Sequence, residues 1–259
     1  VLRYTQETGE ILQKKEIAPG IYDITVNLPK IAKAASVGQF VNIYCGGFTL
    51  RRPISLCGFD QKLGTVRLVF EVRGEGTKCL AEYSAGDMLD VVGPLGHGFS
   101  MTDSAKKAVI VGGGIGTPPL LPVAEFYRQN AVVITGFRTA SAAILQQDFA
   151  AAGAKTILCT DDGSAGYHGF TTQAFEEYLN EKGCDIIYTC GPRAMMKGVA
   201  KLALERGIDC QVSLEERMGC GVGACMCCVC ATKGKKGMQY SRVCLNGPVF
   251  SASEVDWDV

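Results

Sequence analysis

Six cysteines fall between positions 220 and 244, and five of them lie within Cys220-Gly221-Val222-Gly223-Ala224-Cys225-Met226-Cys227-Cys228-Val229-Cys230. Cys220, Cys225, Cys228 and Cys244 read together as C-x4-C-x2-C with a distant fourth cysteine, the plant-type [2Fe-2S] spacing. An iron–sulfur rhomb needs four thiolates brought to one point. Three can come from one tight loop, where Gly221 and Gly223 let the backbone fold around inorganic sulfide. The fourth must arrive from a separate segment. Cys227 and Cys230 are surplus to this set. Two other readings stay open at this point. Structural zinc takes its thiolates as two short pairs separated by a longer interval, and either Cys225/Cys228 or Cys227/Cys230 could be one such pair. A disulfide cluster would require an oxidising compartment.

The rest of the chain narrows these readings. Its 259 residues are enough for two ordinary domains and a small appendage, and 47% of them are hydrophobic, so both domains can hold real cores. The formal net charge is zero and the basic residues are scattered, which argues against nucleic acid as the main partner. With only His97 and His168, a histidine-rich metal centre is excluded. The segment Val1-Leu2-Arg3-Tyr4-Thr5-Gln6 has no apolar core of a signal peptide. No apolar run reaches the roughly 18 residues of a membrane span. The expectation is a cytoplasmic protein whose thirteen cysteines are ligands or small core hydrophobes. Cys45, Cys57, Cys79, Cys159, Cys184 and Cys210 lie in or beside apolar runs and are expected in the core.

Residues 1–99 read as antiparallel strands at 9–17, 21–28, 39–44, 54–59, 66–72 and 88–92, a spacing that suggests a small barrel. Arg51-Arg52-Pro53-Ile54-Ser55 places two guanidinium groups and a hydroxyl at the start of a strand stiffened by Pro53. Arg73-Gly74-Glu75-Gly76-Thr77 then opens a helical pattern over 77–83. A glycine turn leading into a helix N-terminus is an anion site, because the first-turn N–H groups are unpaired. With Arg52 as a bidentate charge, the combination reads as a pyrophosphate site. Residues 100–106 read as a linker.

From residue 106 the pattern becomes strand–helix alternation. Lys107-Ala108-Val109-Ile110-Val111 runs into Gly112-Gly113-Gly114-Ile115-Gly116-Thr117-Pro118-Pro119 and an apolar helix over 120–127, the context of a dinucleotide-phosphate loop. Strands at 132–136, 156–160, 186–190 and 210–214 alternate with helices at 141–151, 172–181 and 195–206, which outlines a five-stranded doubly wound sheet. Such sheets bind ligands at the carboxyl ends of their strands. Gly112, Gly114 and Gly116 stand at one end, and Cys190-Gly191-Pro192 at another. Arg138 follows the second strand, where it could meet a 2′-phosphate, and no acidic residue stands there for a free ribose. Asp161-Asp162 read as a capped, solvated turn.

On Arg52-Pro53-Ile54-Ser55, Gly74-Glu75-Gly76-Thr77, the 112–118 loop and Cys190-Gly191-Pro192, the whole chain resembles the ferredoxin-reductase superfamily. The cysteine pattern and the segment Arg242-Val243-Cys244-Leu245-Asn246-Gly247-Pro248-Val249-Phe250 are most similar to the electron-transfer subunits of type B dihydroorotate dehydrogenases. The resemblance implies an FAD-binding β-barrel over 1–99, an NAD-binding α/β domain over 106–214 and a [2Fe-2S] extension over 215–259. It also implies that Arg52, Pro53, Ile54, Ser55, Gly74, Gly76 and Thr77 hold FAD, and that Gly112, Gly114, Gly116, Cys190, Gly191 and Pro192 hold NAD. Met218 would lie at the flavin, and Cys220, Cys225, Cys228 and Cys244 would be the iron ligands. The implied partner is an FMN-bearing catalytic subunit in a heterotetramer of pyrimidine biosynthesis. This subunit oxidises dihydroorotate, and its electrons reach NAD+ through the cluster and FAD. No residue of this chain is expected to act on the organic substrate. A flavin–iron–sulfur subunit of a hydrogenase or of an NAD(P)H–ferredoxin oxidoreductase would share most of these motifs. A zinc-stabilised regulatory module on a degenerate reductase scaffold is the non-catalytic alternative.

Overall fold

The computed structural model describes residues 4–234 and 237–258; residues 1–3 of the amino-terminal segment and residue 259 lie outside them. The first unit is a closed antiparallel barrel of β1 (Thr5–Ala18), β2 (Ile21–Asn27), β3 (Phe40–Ile43), β4 (Arg52–Asp60), β5 (Thr65–Glu71) and β6 (Met88–Leu95), in the order β1-β2-β5-β4-β3-β6. Period-two alternation explains it: Ile24 and Val26 on β2, and Val66, Leu68 and Phe70 on β5, point inward and are buried. Each such side chain contributes about 1.5–3 kcal/mol. A short helix that the strand pattern did not announce, α1 (Pro29–Ala34), closes one end with Ile31 and Ala32. Its first N–H groups, at Lys30 and Ile31, donate to the Glu7 carboxylate at 3.1 Å. Helix α2 (Glu75–Glu82) follows β5 after a three-residue turn, starting two residues earlier than the helical pattern over 77–83.

The second unit is a sheet of seven strands among the described residues, not five. Its parallel strands are β7 (Ala108–Gly113), β8 (Ala131–Phe137), β9 (Lys155–Thr160), β10 (Tyr167–His168), β11 (Ile186–Cys190) and β12 (Asp209–Ser213). The additional parallel strand β10 is only two residues long and sits at the edge, too short to show a period. Helices α3 (Leu121–Tyr127) and α4 (Gln146–Ala151) bury against one face together with Ile21, Cys57 and Val69 of the barrel. Helices α5 (Thr171–Lys182) and α6 (Arg193–Glu205) cover the other. The helix expected over 141–151 is cut back to α4 because Leu145 takes a left-handed φ of 61°. Arg67 of β5 bridges Asp23 of β2 at 2.7 Å and Asp148 of α4 at 2.5 Å, which fixes the barrel against the sheet.

The chain then leaves β12 for the cysteine loop, a hairpin of β13 (Val229–Gly234) and β14 (Gly237–Arg242), helix α7 (Val243–Asn246) and β15 (Val249–Ser251). This segment is not a separate appendage. β15 pairs antiparallel with β12 and becomes the sheet's last strand. Cys228, Cys230, Val243 and Cys244 join the core beneath α5 and α6. Of the six cysteines expected as core filler, Cys45, Cys57, Cys159 and Cys210 are buried, while Cys79 and Cys184 are only partly covered. Among the described residues no helix is long and apolar enough to cross a membrane.

Candidate functional site

A cleft runs between the barrel and the sheet. Pro53, Ile54, Ser55 and Thr77 line it from the barrel, Gly116 and Cys190 from the sheet, and Met218 from the segment leading to Cys220. Thus seven of the residues singled out from sequence meet at one place, although they come from three different elements and two connecting segments. Arg52, Gly74 and Gly76 are not on its wall but adjoin it. A Cβ at Gly76 would collide with the Arg52 guanidinium, so the glycine makes the seat in which that charge rests. The guanidinium is held by a hydrogen bond to the Leu50 carbonyl at 2.5 Å and stacks over Phe48 at 5.1 Å. Thr77 Oγ1 accepts from the Arg73 and Gly74 N–H groups at 2.9 and 3.2 Å, closing the turn from inside. The first-turn N–H groups of α2 remain beside a fixed cation, a donor set that fits the pyrophosphate of FAD.

A second cleft adjoins the first at the carboxyl edge of the sheet, lined by Gly113, Gly114, Arg138 and Pro192 among others, with Glu71 and Arg73 shared between the two. Here the glycines divide their duties. A Cβ at Gly116 would meet the backbone of Gly191, and one at Gly113 would meet Pro192 and Met195 at 2.7 Å. Those glycines let the β7 and β11 turns lie against each other. Gly112 is buried, and a Cβ there would stand 3.1 Å from Thr117 and Leu120, so it packs the turn and does not line either cleft. Gly114 differs: it has φ +51°, and nothing lies within 4 Å of its would-be Cβ. It faces open space where a phosphate can approach. Asp161, exposed as expected, also lines this cleft, and Asp162 caps the turn, accepting from Ser164. Asp161 and Ser213 were missed by motif; their signal was position at a strand's carboxyl end. Burial pushes the Cys190 thiol up to about 12 despite a hydrogen bond with Ser213, so it stays neutral at the cleft wall.

The cysteine loop begins where Met218 leaves the first cleft. Cys220 Sγ accepts the N–H groups of Val222, Ala224 and Cys225 at 3.4, 3.2 and 3.3 Å. Burial raises this thiol, but those donors outweigh it and hold it at about 6. Gly221 and Gly223 have φ of 70° and 82°, which is what folds the loop around the sulfur. Backbone hydrogen bonds tie the four cysteines as two pairs: Cys225 N–H donates to Cys220 Sγ at 3.3 Å, and Cys244 N–H donates to Cys228 Sγ at 3.5 Å. Burial and the neighbouring Cys228 push Cys244 up to about 12. Among the described residues no three Cys, His, Asp or Glu side chains gather as a single-ion site. Two pairs suit a two-iron rhomb, with two thiolates on each iron, better than one zinc ion. Of the surplus cysteines, Cys227 is exposed and Cys230 is buried in the core.

The comparisons with known proteins agree with this arrangement. The family model "Iron-sulfur cluster binding domain of dihydroorotate dehydrogenase B" matches residues 215–256. The "Dihydroorotate dehydrogenase B (NAD(+)), electron transfer subunit" of Geobacillus thermodenitrificans is 40% identical over 258 residues, covering 96% of this chain and 98% of the relative. The protein of the same name from Caldanaerobacter subterraneus subsp. tengcongensis is 39% identical over 249 residues, covering 95% of this chain and 97% of the relative. The solved structure of an NADH-dependent reduced ferredoxin-NADP oxidoreductase, described for flavin-based electron bifurcation, superposes with a TM-score of 0.85 at 32% identity, covering 96% of this chain and 90% of its own. The Amycolatopsis cytochrome P450 reductase GcoB shares the fold, with a TM-score of 0.68 at 23% identity over 78% of this chain and 66% of its own. The iron–sulfur region, the reductase fold and 39–40% identity to these subunits over nearly the whole chain lead to one assignment: the chain belongs to the family of dihydroorotate dehydrogenase B electron transfer subunits.

Proposed function

We propose that this chain is the electron-transfer half of a cytoplasmic, NAD-linked dihydroorotate dehydrogenase heterotetramer in pyrimidine biosynthesis, and that an FMN-bearing catalytic subunit is its partner. One observation carries the reading: a single cleft is bounded by the barrel's Pro53–Ser55 face, by the nucleotide turns at Gly116 and Cys190, and by Met218 at the root of the cysteine loop. A group bound there touches a hydride donor or acceptor on one side and the cluster loop on the other. FAD exchanges electrons singly or in pairs, so bound in this cleft it joins a one-electron cluster to a two-electron nicotinamide.

The chain's own residues supply position and charge. Arg52 and the Gly74–Thr77 turn hold the FAD pyrophosphate, Pro53, Ile54 and Ser55 seat the ring, and Gly114 admits the NAD phosphates. Cys220, Cys225, Cys228 and Cys244 hold the [2Fe-2S] cluster. The divisions at 1–99, 106–214 and 215–259 follow these three duties, with residues 1–3, 235, 236 and 259 outside the described set. Removing the Arg52 contact costs about 1.5–3 kcal/mol for a charge-assisted bond, roughly tenfold to a hundredfold in FAD affinity. Arg52→Ala therefore purifies partly flavin-free, and an unchanged affinity by titration would reduce Arg52 to a surface charge.

The test of the whole reading is turnover. The isolated, FAD-loaded chain is expected to pass electrons from NADH to artificial acceptors and to leave dihydroorotate untouched. Adding the FMN subunit is expected to restore dihydroorotate-to-NAD+ transfer. Dihydroorotate oxidation by the isolated chain would overturn the division of labour. The exposed Ala224 and Met226 of the cysteine loop support a partner on this face, whereas Val222 packs inward against the core.

A further inference from the structure

Asn42 lies where the barrel meets the cysteine loop. It is 1% exposed on β3, and its cross-strand neighbours are Pro53 of β4 and Val92 of β6. Its Nδ2 donates to the Cys220 carbonyl at 3.4 Å, while its Oδ1 has no hydrogen-bond partner among the described residues. A buried amide left half-satisfied is costly. A leucine of similar size would serve the barrel core better, so packing does not account for the residue. The contact is close from the other side as well. Gly221 sits at φ +70°, and a Cβ there would run into Asn42 Nδ2. The loop's left-handed backbone and the barrel's amide are therefore fitted to each other.

We infer that Asn42 is a positioning residue that holds the Cys220 peptide in place and thereby sets the reduction potential of the cluster. The inference rests on the reading of Cys220 as an iron ligand. The Cys220 carbonyl belongs to the peptide unit that opens the turn, and the next units present the Val222, Ala224 and Cys225 N–H groups to the Cys220 sulfur. Donors to a ligand sulfur stabilise the more electron-rich, reduced cluster and raise its potential. Releasing the carbonyl loosens the turn, weakens those donors and lowers the potential. The register of Asn42 with Pro53 also ties the flavin side of the barrel to the cluster loop through one side chain.

The experiment is an anaerobic redox titration of the full chain carrying FAD and cluster, followed by the EPR signal of the reduced cluster. Asn42→Leu is expected to keep about two irons per chain and to show a lower midpoint potential and an altered EPR line shape. At a fixed solution potential near the midpoint, the ratio of reduced to oxidised cluster is expected to fall about fivefold, the worth of one ordinary hydrogen bond. A role in packing alone would lower the Tm and leave potential and line shape as in the parent; that result overturns the inference. If the leucine variant does not fold, Asn42→Asp keeps the shape without the N–H donor and is expected to shift the potential the same way. A potential at or above the parent's in that variant overturns it equally. Cys220→Ser separates the two readings: iron retained there removes Cys220 as a ligand, whereas iron lost there with unchanged potentials in the Asn42 variants removes only the role of Asn42.

Discussion

Cys225→Ser is expected to give a chain with its FAD absorbance intact and no iron, and a complex that assembles without carrying electrons from dihydroorotate to NAD+. Cys225 is the hinge of the loop. Its N–H donates to Cys220 Sγ at 3.3 Å, so it shapes one of the two cysteine pairs as well as belonging to it. A serine hydroxyl is a hard, weakly acidic donor where a soft thiolate is needed. The same loss is expected at Cys220, Cys228 and Cys244. FAD survives because Arg52, Phe48 and the Gly76 turn belong to the barrel and make no use of the loop. The surplus cysteines separate cleanly. Cys227→Ala is expected to keep its cluster, since the thiol is exposed. Cys230→Ala also keeps iron but loses roughly 1 kcal/mol of stability, because it empties a small volume of core. Iron analysis and the visible spectrum read all of these. Iron lost from Cys227→Ala but retained in Cys220→Ser would exchange the ligand set.

The second large effect is expected at Gly114. Gly114→Val should abolish flavin reduction by NADH, a loss of about a hundredfold or more for a blocked phosphate approach, while the FAD and cluster spectra persist. Valine at φ +51° costs about 1–2 kcal/mol of backbone strain. No atom stands within 4 Å of the new Cβ, so this backbone strain comes with no added clash. The side chain instead occupies the open space of the second cleft. Gly116→Val is the contrasting case: its Cβ meets the Gly191 backbone, so that variant is expected to unfold the turn-to-turn contact and lose soluble protein. Stopped-flow reduction of Gly114→Val by NADH checks the assignment, and a normal rate would move the nucleotide elsewhere.

Chemistry that depends on local spacing was legible in the sequence. The C-x4-C-x2-C loop, the Arg52-to-Ser55 motif and the glycine turns each sit within a few residues of chain, so residue type and interval carry their meaning. The barrel and the alternating sheet were legible for a related reason, since period two and strand–helix alternation are properties of consecutive residues. Boundaries moved where a single residue overrode the pattern. Leu145 in a left-handed conformation shortened α4, and Pro29 with Glu7 built α1 in the stretch between two expected strands.

Long-range placement was not legible, because no local period encodes it. Asp161 became part of a cleft only when β9 aligned with β8 and brought the turn beside Arg138. Asn42 read as an ordinary strand residue until the cysteine loop closed over it. The C-terminal extension read as an appendage, yet β15 completes the nucleotide sheet and Cys244 is buried beneath its helices. The sequence by itself determined the cysteine spacing, the glycine turns and the two fold classes, because those follow from neighbouring residues. Only the tertiary structure decided that the barrel's Pro53–Ser55 face, the turns at Gly116 and Cys190 and the root of the cysteine loop line one cleft, because that adjacency is set by packing between segments more than a hundred residues apart, from Pro53 to Met218.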